Sequence, residues 1–516
     1  MLKAIFLMVA SLILGPNGQP YHRGTNGHKP RQELVEAMNL ARGPRRTREI
    51  HASYDAARDT TDFANYWANA DRLDADSANS RAVRSKLVAR SRYETANNGF
   101  VDGMHQTFAT DVIGAGPKLR VTTPDQEFNQ KVETAFAKWA KTVHLRRKLW
   151  CLCHAKTQDG ESFGILRNNP KIKGPVGLDI VLIETEQCAT PMLSWYEPGR
   201  VDGIRFDVFG NAETYDILRH HPGSAFHGMF VAEPEEVPAR FVLHWYMLRR
   251  PGQHRAVPEN RSTLNVGAAS RRWREATIAA AETAADISVA LSTEMAPDGA
   301  EPIAPMSSVD FEKRMMVAIP AGWKASQMTA EHPNAQYQDF HRSQINEQAR
   351  PKSMPINKAM CDSSNHNFAS GRLDHLTYYE MIDYVEREDC NDVVLDKLFD
   401  VWWIEATLAY GWNADPDEVP DHCWDWPLHA VEDQEAKAKA RDVNLKNGSL
   451  SYSEAAAEDG TDFEDRIKLM ARDFGVTVER VRELMMMNTF YMAFQAQAGL
   501  TRQPQVTEPQ TTQAPA

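Results

Sequence analysis

Residues 269–296, "ASRRWREATIAAAETAADISVALSTEMA", decide how the chain is read. Alanine loses no side-chain entropy in a helix, and no Gly or Pro interrupts the run before Pro297. The stretch predicts one helix with Glu275, Glu282 and Asp286 on a common face. Carboxylates at i and i+4, such as Glu282 and Asp286, suit either an acid–base pair or a solvated face. The alanines leave room for a neighbouring helix, and "AQYQDFHRSQINEQA" at 335–349 supplies a helical run before Pro351 and Pro355. Between the two, 297–334 reads as loop and strand around "KRMMVAIPAGW".

Working outward, 75–113 has helical spacing and stops at the breaker Gly114-Ala115-Gly116-Pro117. A short strand, "LRVTTP", precedes a second helical segment over 125–157. From 176 to 248 the period shifts to two, with "GIRFDVFGNAETYDILRHHPG" reading as a hairpin turning at Gly210-Asn211. "FVLHWYML" closes this block, and the Pro/Gly-bounded corner "RRPGQHRAVPE" follows. On the C-terminal side, 373–410 predicts one long helix or a kinked pair, acidic first (Glu380, Asp383, Glu386, Glu388, Asp389, Asp392) and then apolar. "TDFE" at 461–464 fits a capping box, and Thr477 starts another helix. The fold class is α+β, predominantly helical.

The chain has 516 residues, 42% hydrophobic and 25% charged, enough for several compact regions. Its net charge of −12 excludes a basic nucleic-acid clamp, although loose contact with DNA needs few cations. Six cysteines are too few for a disulfide scaffold and fit a reducing compartment. The apolar run at 4–14 behind Lys3 imitates a signal peptide but is too short to span a membrane. The sequence carries no phosphate-binding G-x-x-x-x-G-K-[ST] loop, H-E-x-x-H or G-x-S-x-G motif. "CLCH" at 151–154 lacks the second ligand pair a zinc site wants, and His220-His221 reads as a surface corner. No metal or cofactor is expected.

The polar stretch "CDSSNHNFASGRLDH" at 361–375 invites a hydrolase reading through Ser363, His366 and Asp374. A triad converges from separate elements, whereas these three lie in one short segment with no oxyanion hole in view. The same residues suit a flexible touching surface, with Asp374 as the N-cap of the helix that follows.

Several separated blocks carry a resemblance: "SRYETANNGFVDGMHQTFATDVIGAGPKLRV", "DGESFGILRNNP", "LHWYMLRRPGQHRAVPE", "RWREATIAAAETAAD", "IPAGW", "AQYQDFHRSQINEQAR", "MPINKAM" and "NFASGRLDH". In these blocks, spread over about residues 50–430, the chain resembles the lambda-type portal proteins of tailed bacteriophages. Ala256 departs from the pattern, standing where the family carries Gly in "RGxP", which bears on the corner's backbone.

The resemblance implies a non-enzymatic, dodecameric ring at one capsid vertex of the virion, a conduit for packaging and ejecting double-stranded DNA. Its implied partners are other copies of itself, the terminase large subunit, a major capsid or scaffold protein and a head-completion or adaptor protein, with no membrane. Carried onto this chain, the parts are an N-terminal arm (1–49), a wing (50–265), a first stem helix (266–296) and a clip (297–334). A second stem helix (335–355), a tunnel loop (356–372), a tunnel helix with the rest of the wing (373–449), a crown (450–500) and a disordered tail (501–516) complete them. The expected site residues are Ser363, Ser364, Asn365, His366, Asn367 and Arg372 facing DNA. Glu282 and Asp286, or the acidic face 380–392, border the channel, and Lys313, Arg314 and Trp323 dock terminase.

Overall fold

The computed structural model describes residues 66–190, 199–226, 234–285, 289–293, 323–327, 337–364, 368–427, 429, 434–458 and 463–497. Two units divide the chain, Met1–Arg72 and Leu73–Ala516, and everything below concerns the second. Where the sequence predicts one helix over 75–113 there are three: α1 (Ala75–Ala78), α2 (Arg81–Asn97) and α3 (Gly99–Ile113). Asn98 ends α2 in extended geometry and caps α3, its side chain accepting from Phe100 N. After β1 (Lys118–Val121), the run 125–157 likewise splits into α4 (Gln126–Thr142) and α5 (Leu145–Asp159). The break is at His144, a non-glycine residue with φ 54°.

Strand β2 (Glu161–Asn168) lies at the centre of a three-stranded antiparallel sheet, between β3 (Leu178–Ile183) and β8 (Val242–Tyr246). Its first six residues are all buried. Leu166 joins the main core, while Phe163 and Ile165 turn to a second cluster. That cluster lies against the sheet of β4 (Arg200–Val201), β5 (Ile204–Phe206), β6 (Ala212–Ile217) and β7 (Glu235–Pro238). The hairpin expected at Gly210-Asn211 is β5–β6, pairing Phe206 with Ala212 around Gly210 at φ 90°.

The corner after β8 is locked by one carboxylate. Glu161, fully buried, accepts from Arg255 Nη2 at 2.6 Å, from Arg255 Nε shared between its two oxygens at 3.0 Å each, and from Ala256 N at 3.0 Å. The Thr185 hydroxyl donates to it as well, and His244 lies 3.3 Å away. Burial favours the neutral acid, yet the Arg255 charge holds Glu161 well below the usual carboxylate range. Ala256 is absent from the positive-φ residues, so the corner accepts a Cβ where the family has Gly. The glycine requirement sits instead at Gly160 (φ 94°), where a Cβ would meet the Val257 carbonyl carbon at 2.1 Å.

The alanine-rich run forms α6 (Leu264–Ala285), but its helix does not reach Ala296. Residues 289–293 are strand β9, paired antiparallel with β10 (Trp323–Gln327), Trp323 opposite Thr293. Val289 and Thr293 are β-branched, and a strand partner overrides the helical prediction for 289–293. Returning from β10, α7 (Tyr337–Ala349) packs on α6 with Trp273 stacked on Tyr337 at 4.6 Å and edge-on to Phe340 at 5.0 Å.

After α8 (Ile356–Met360), the long helix α9 covers 368–410 without a gap. It runs as α over Phe368–Met381, as π over Ile382–Arg387, then through Glu388–Cys390, a second π stretch Asn391–Leu395 and α over Asp396–Tyr410. Its start at Phe368 puts Asp374 inside the helix, so Asp374 is not the N-cap. Its apolar half meets α4 in the main core, Trp402 lying edge-on to Phe136 at 5.1 Å. Strand β11 (His422–Asp425) pairs with β1, and α10 (Gln434–Asn447), α11 (Tyr452–Glu458), α12 (Phe463–Phe474) and α13 (Val478–Gln497) follow. Thr477 caps α13 through Arg480 N, as its position predicts; residues 461 and 462 of "TDFE" lie outside the described residues.

Candidate nucleic-acid interface

The polar stretch begins where α8 ends. Cys361 takes left-handed geometry (φ 52°), and the Asp362 carboxylate accepts from Ser364 N at 2.9 Å. This turn leaves Ser363 and Ser364 exposed. Both flanks of the segment are tied to one oxygen of the α3 residue Asp111. Lys358 Nζ of α8 reaches Asp111 Oδ2 at 2.7 Å, and the Tyr378 hydroxyl of α9 donates to the same atom at 2.9 Å. The Lys358 ammonium also lies 5.0 Å from the ring centres of Tyr378 and Tyr379. Burial and the Asp111 charge push the Tyr378 hydroxyl well above its usual range, so it remains a donor. Asn357 and His375 add a second tie at 3.0 Å.

Arg372, Leu373 and Asp374 are exposed on the first turns of α9. Leu373, Leu376 and Tyr384 expose 67%, 49% and 77% of their surface, large apolar side chains in solvent on the first half of α9.

The acidic half of α9 corrects one expectation. Glu386 points inward, fully buried, 2.6 Å from Lys156 Nζ, which also lies 3.2 Å from Glu259. Asp389 accepts from Trp245 Nε1 at 2.7 Å, and Asp383 meets Arg387 at 2.7 Å and His429 at 2.9 Å. These carboxylates anchor α9 to the body, and only Glu380, Glu388 and Asp392 of the six stay exposed. Glu282 is exposed on α6. Asp286, Asn365, His366, Asn367, Lys313 and Arg314 lie outside the described residues, as does the side chain of Trp323, whose backbone opens β10. The hydrolase reading therefore keeps Ser363 in a loop and Asp374 on a helix, with His366 not described.

Two further clusters bear on ligands. Among the described residues, Glu184, Glu186 and His221 place ligand atoms within 4.8 Å of one another. His221 Nδ1 accepts from Gly223 N at 3.0 Å, which leaves the proton of a neutral ring on Nε2, aimed at the carboxylates. Arg92 already occupies both, at 3.0 Å from Glu184 and 2.9 Å from Glu186, so the cluster is satisfied as an ion-pair network. On α5, Cys153 is buried and Cys151 exposed. No helix among the described residues is long and apolar enough to cross a membrane.

The family profile described as "Phage portal protein, lambda family" matches residues 64–385. The chain is 21% identical over 449 residues to the probable portal protein of Halomonas phage phiHAP-1, covering 80% of this chain and 83% of that one. Among solved structures, it is similar to a chain in the virion of the native gene transfer agent particle at 14% identity and TM-score 0.43, covering 73% of this chain and 93% of that one. An HK97-family phage portal protein from Corynebacterium diphtheriae is similar at 11% identity and TM-score 0.28, over 56% of this chain and 85% of that one.

Proposed function

The chain belongs to the lambda family of phage portal proteins, and from that premise we propose that its copies close into a dodecameric ring at one vertex of the capsid, through which double-stranded DNA enters and leaves. The observation that carries the DNA-contact part of this reading is the exposed Ser363–Ser364 turn, held on both flanks by Asp111. A conduit must touch DNA without gripping it. Firm neutralisation of many phosphates would hold the duplex still, and a chain of net charge −12 avoids that. In this reading the segment 356–372, which takes in α8 and the first residues of α9 as well as the turn between them, is the tunnel loop. Ser363, Ser364, Asn365, His366, Asn367 and Arg372 brush the duplex, and each copy adds a weak contact.

The remaining parts are assigned on the same basis. Helices α6 and α7 are the stem, with Glu282 and Asp286 toward the channel. The segment between them is the clip, entered and left through β9 and β10. Terminase docks there, with Lys313, Arg314 and Trp323 as contacts, and a head-completion or adaptor protein is a further partner. The exposed side chains of Leu373, Leu376 and Tyr384 suit contact with a neighbouring copy. The crown is built from the helices after 450.

Negative-stain microscopy of the purified chain tests the ring: closed rings with a central hole are expected, and a strict monomer at high concentration overturns the reading. For the loop, Arg372→Glu particles are expected to assemble normally and to retain less packaged DNA. Unchanged retention removes Arg372 from the channel.

A further inference from the structure

At the first turns of α6, where it meets α2, α3 and the end of α7, the chain closes around a small cavity of ≈ 10 Å³, about the room one water needs. Every residue lining it is buried. Four carry polar groups that bear on a ligand: Glu94 of α2, His105 of α3, Gln348 of α7 and Lys352 just beyond it, none more than 4% exposed. Glu94 accepts from Arg271 Nη2 at 3.0 Å through Oε1, and Gln348 donates through Nε2 to the Gln344 carbonyl at 3.2 Å. Their other oxygens, Glu94 Oε2 and Gln348 Oε1, have no hydrogen-bond partner among the described residues, and neither ring nitrogen of His105 has one. Buried acceptors left unpaired are rare and costly, because they have given up hydration and gained nothing in return. Gly267 of α6 lies beside both oxygens. A Cβ built on it would stand 3.4 Å from Gln348 Oε1, 3.8 Å from Glu94 Oε2 and 3.9 Å from Asn98 Nδ2.

We propose that this cavity is a binding site for one structural water, which donates to Glu94 Oε2 and Gln348 Oε1 and so joins α2 to α7 beside α6. His105 and Lys352 supply the donors. Burial keeps the His105 ring neutral, with one N–H to give. The lining sets the class of the occupant. A cation would share the cavity with the Lys352 side chain and an anion with the Glu94 carboxylate, and the volume admits nothing much larger than water. Water both donates and accepts, which a wall mixing acceptors with donors requires. The glycine fits this role. Alanine is the better helix former, yet its methyl would stand against both oxygens, in the water's place. The proposal is independent of the conduit reading, since none of these residues belongs to the segment 356–372 or to the channel and clip contacts.

A high-resolution map of the full-length chain tests it directly, with a discrete peak expected within about 3.2 Å of both Glu94 Oε2 and Gln348 Oε1. A map without that peak overturns the proposal. So does a peak that turns into an anomalous scatterer when sodium chloride is exchanged for rubidium chloride, which assigns the site to a cation. Thermal melts supply the second arm. Gly267→Ala is expected to melt about 2 °C below the unsubstituted chain, against its helix propensity, because it displaces the water. Gly267→Ser carries a hydroxyl into the same place and is expected to recover about half of that loss or more. The built Cβ meets only ordinary van der Waals distances, so both variants fit the fold. Gly267→Ala melting at or above the unsubstituted chain overturns the proposal, as does an equal fall in both variants, which assigns the loss to crowding.

Discussion

Glu161 and Arg255 are 94 positions apart and meet with almost no solvent between them, both side chains within 1% of full burial. A buried ion pair adds little net stability, but removing one partner strands the other. Glu161→Gln is expected to lower unfolding free energy by about 3–5 kcal/mol, read from the denaturant midpoint; a loss under about 1 kcal/mol contradicts this role. Lys352, also buried, has its ammonium pushed down to about 8 by burial. Below pH 8 it is charged in both folded and unfolded chains, and the folded state bears the cost of burying the charge. Above pH 8 the folded chain sheds the proton while the unfolded chain keeps it, so this group's contribution to stability rises with pH from about 8 to its ordinary range. Lys352→Met is expected to raise stability at pH 7 by on the order of 2 kcal/mol and to flatten that rise in melts across pH 7–10. Little of this was legible in the sequence. Glu161 and Arg255 both lie in blocks that carry the family resemblance, yet periodicity describes neighbours along an element, not partners across a fold. The Asp111 clamp escaped notice for the same reason, its members being spread over 111, 358 and 378.

Elements were legible where a single period persists. The helical character of α6, α7, α9 and α13 follows from spacing and from the Pro, Gly and Thr residues at their ends, and the β5–β6 hairpin from Gly210-Asn211. The failures have local causes. His144 interrupts a helix with neither Gly nor Pro beside it, Asn98 does so as the cap before Gly99, and β9 takes a sequence with helical alanines upstream because β10 is there to pair with it. The buried half of the acidic face on α9 was misread because a carboxylate facing Lys156 has the same spacing as one facing water. Glu386 and Asp389 stand three positions apart, so they share a helix face and both point inward, in the stretch where π turns bracket Glu388–Cys390. The clamp makes its own prediction. Asp111→Ala is expected to cost about 1–3 kcal/mol and to speed amide exchange across 356–364, with exchange in α5 unchanged. Equal exchange in both proteins means that the loop's flanks are held elsewhere.

At the scale of the molecule, the main core draws on α3, α4, α5, β2, β8, α7, α9 and β11. Residues from about 100 to 424 must therefore be in place before it closes. The portal identity was readable from the order of separated blocks, since no single motif among them carries chemistry. The whole-chain charge of −12 pointed to loose DNA contact, but a sum over 516 residues does not say where the cations stand. The β9–β10 ladder has one more consequence. Thr293 and Trp323 face each other across it, so the segment 294–322 departs and returns at adjacent points. An insert held in this way can change in length while the strands at its two ends keep their pairing. Replacing 294–322 by a two-residue Asn-Gly turn is expected to leave ring formation intact in negative stain and to abolish terminase capture in a pull-down. Loss of the rings themselves means that the insert is instead part of the frame.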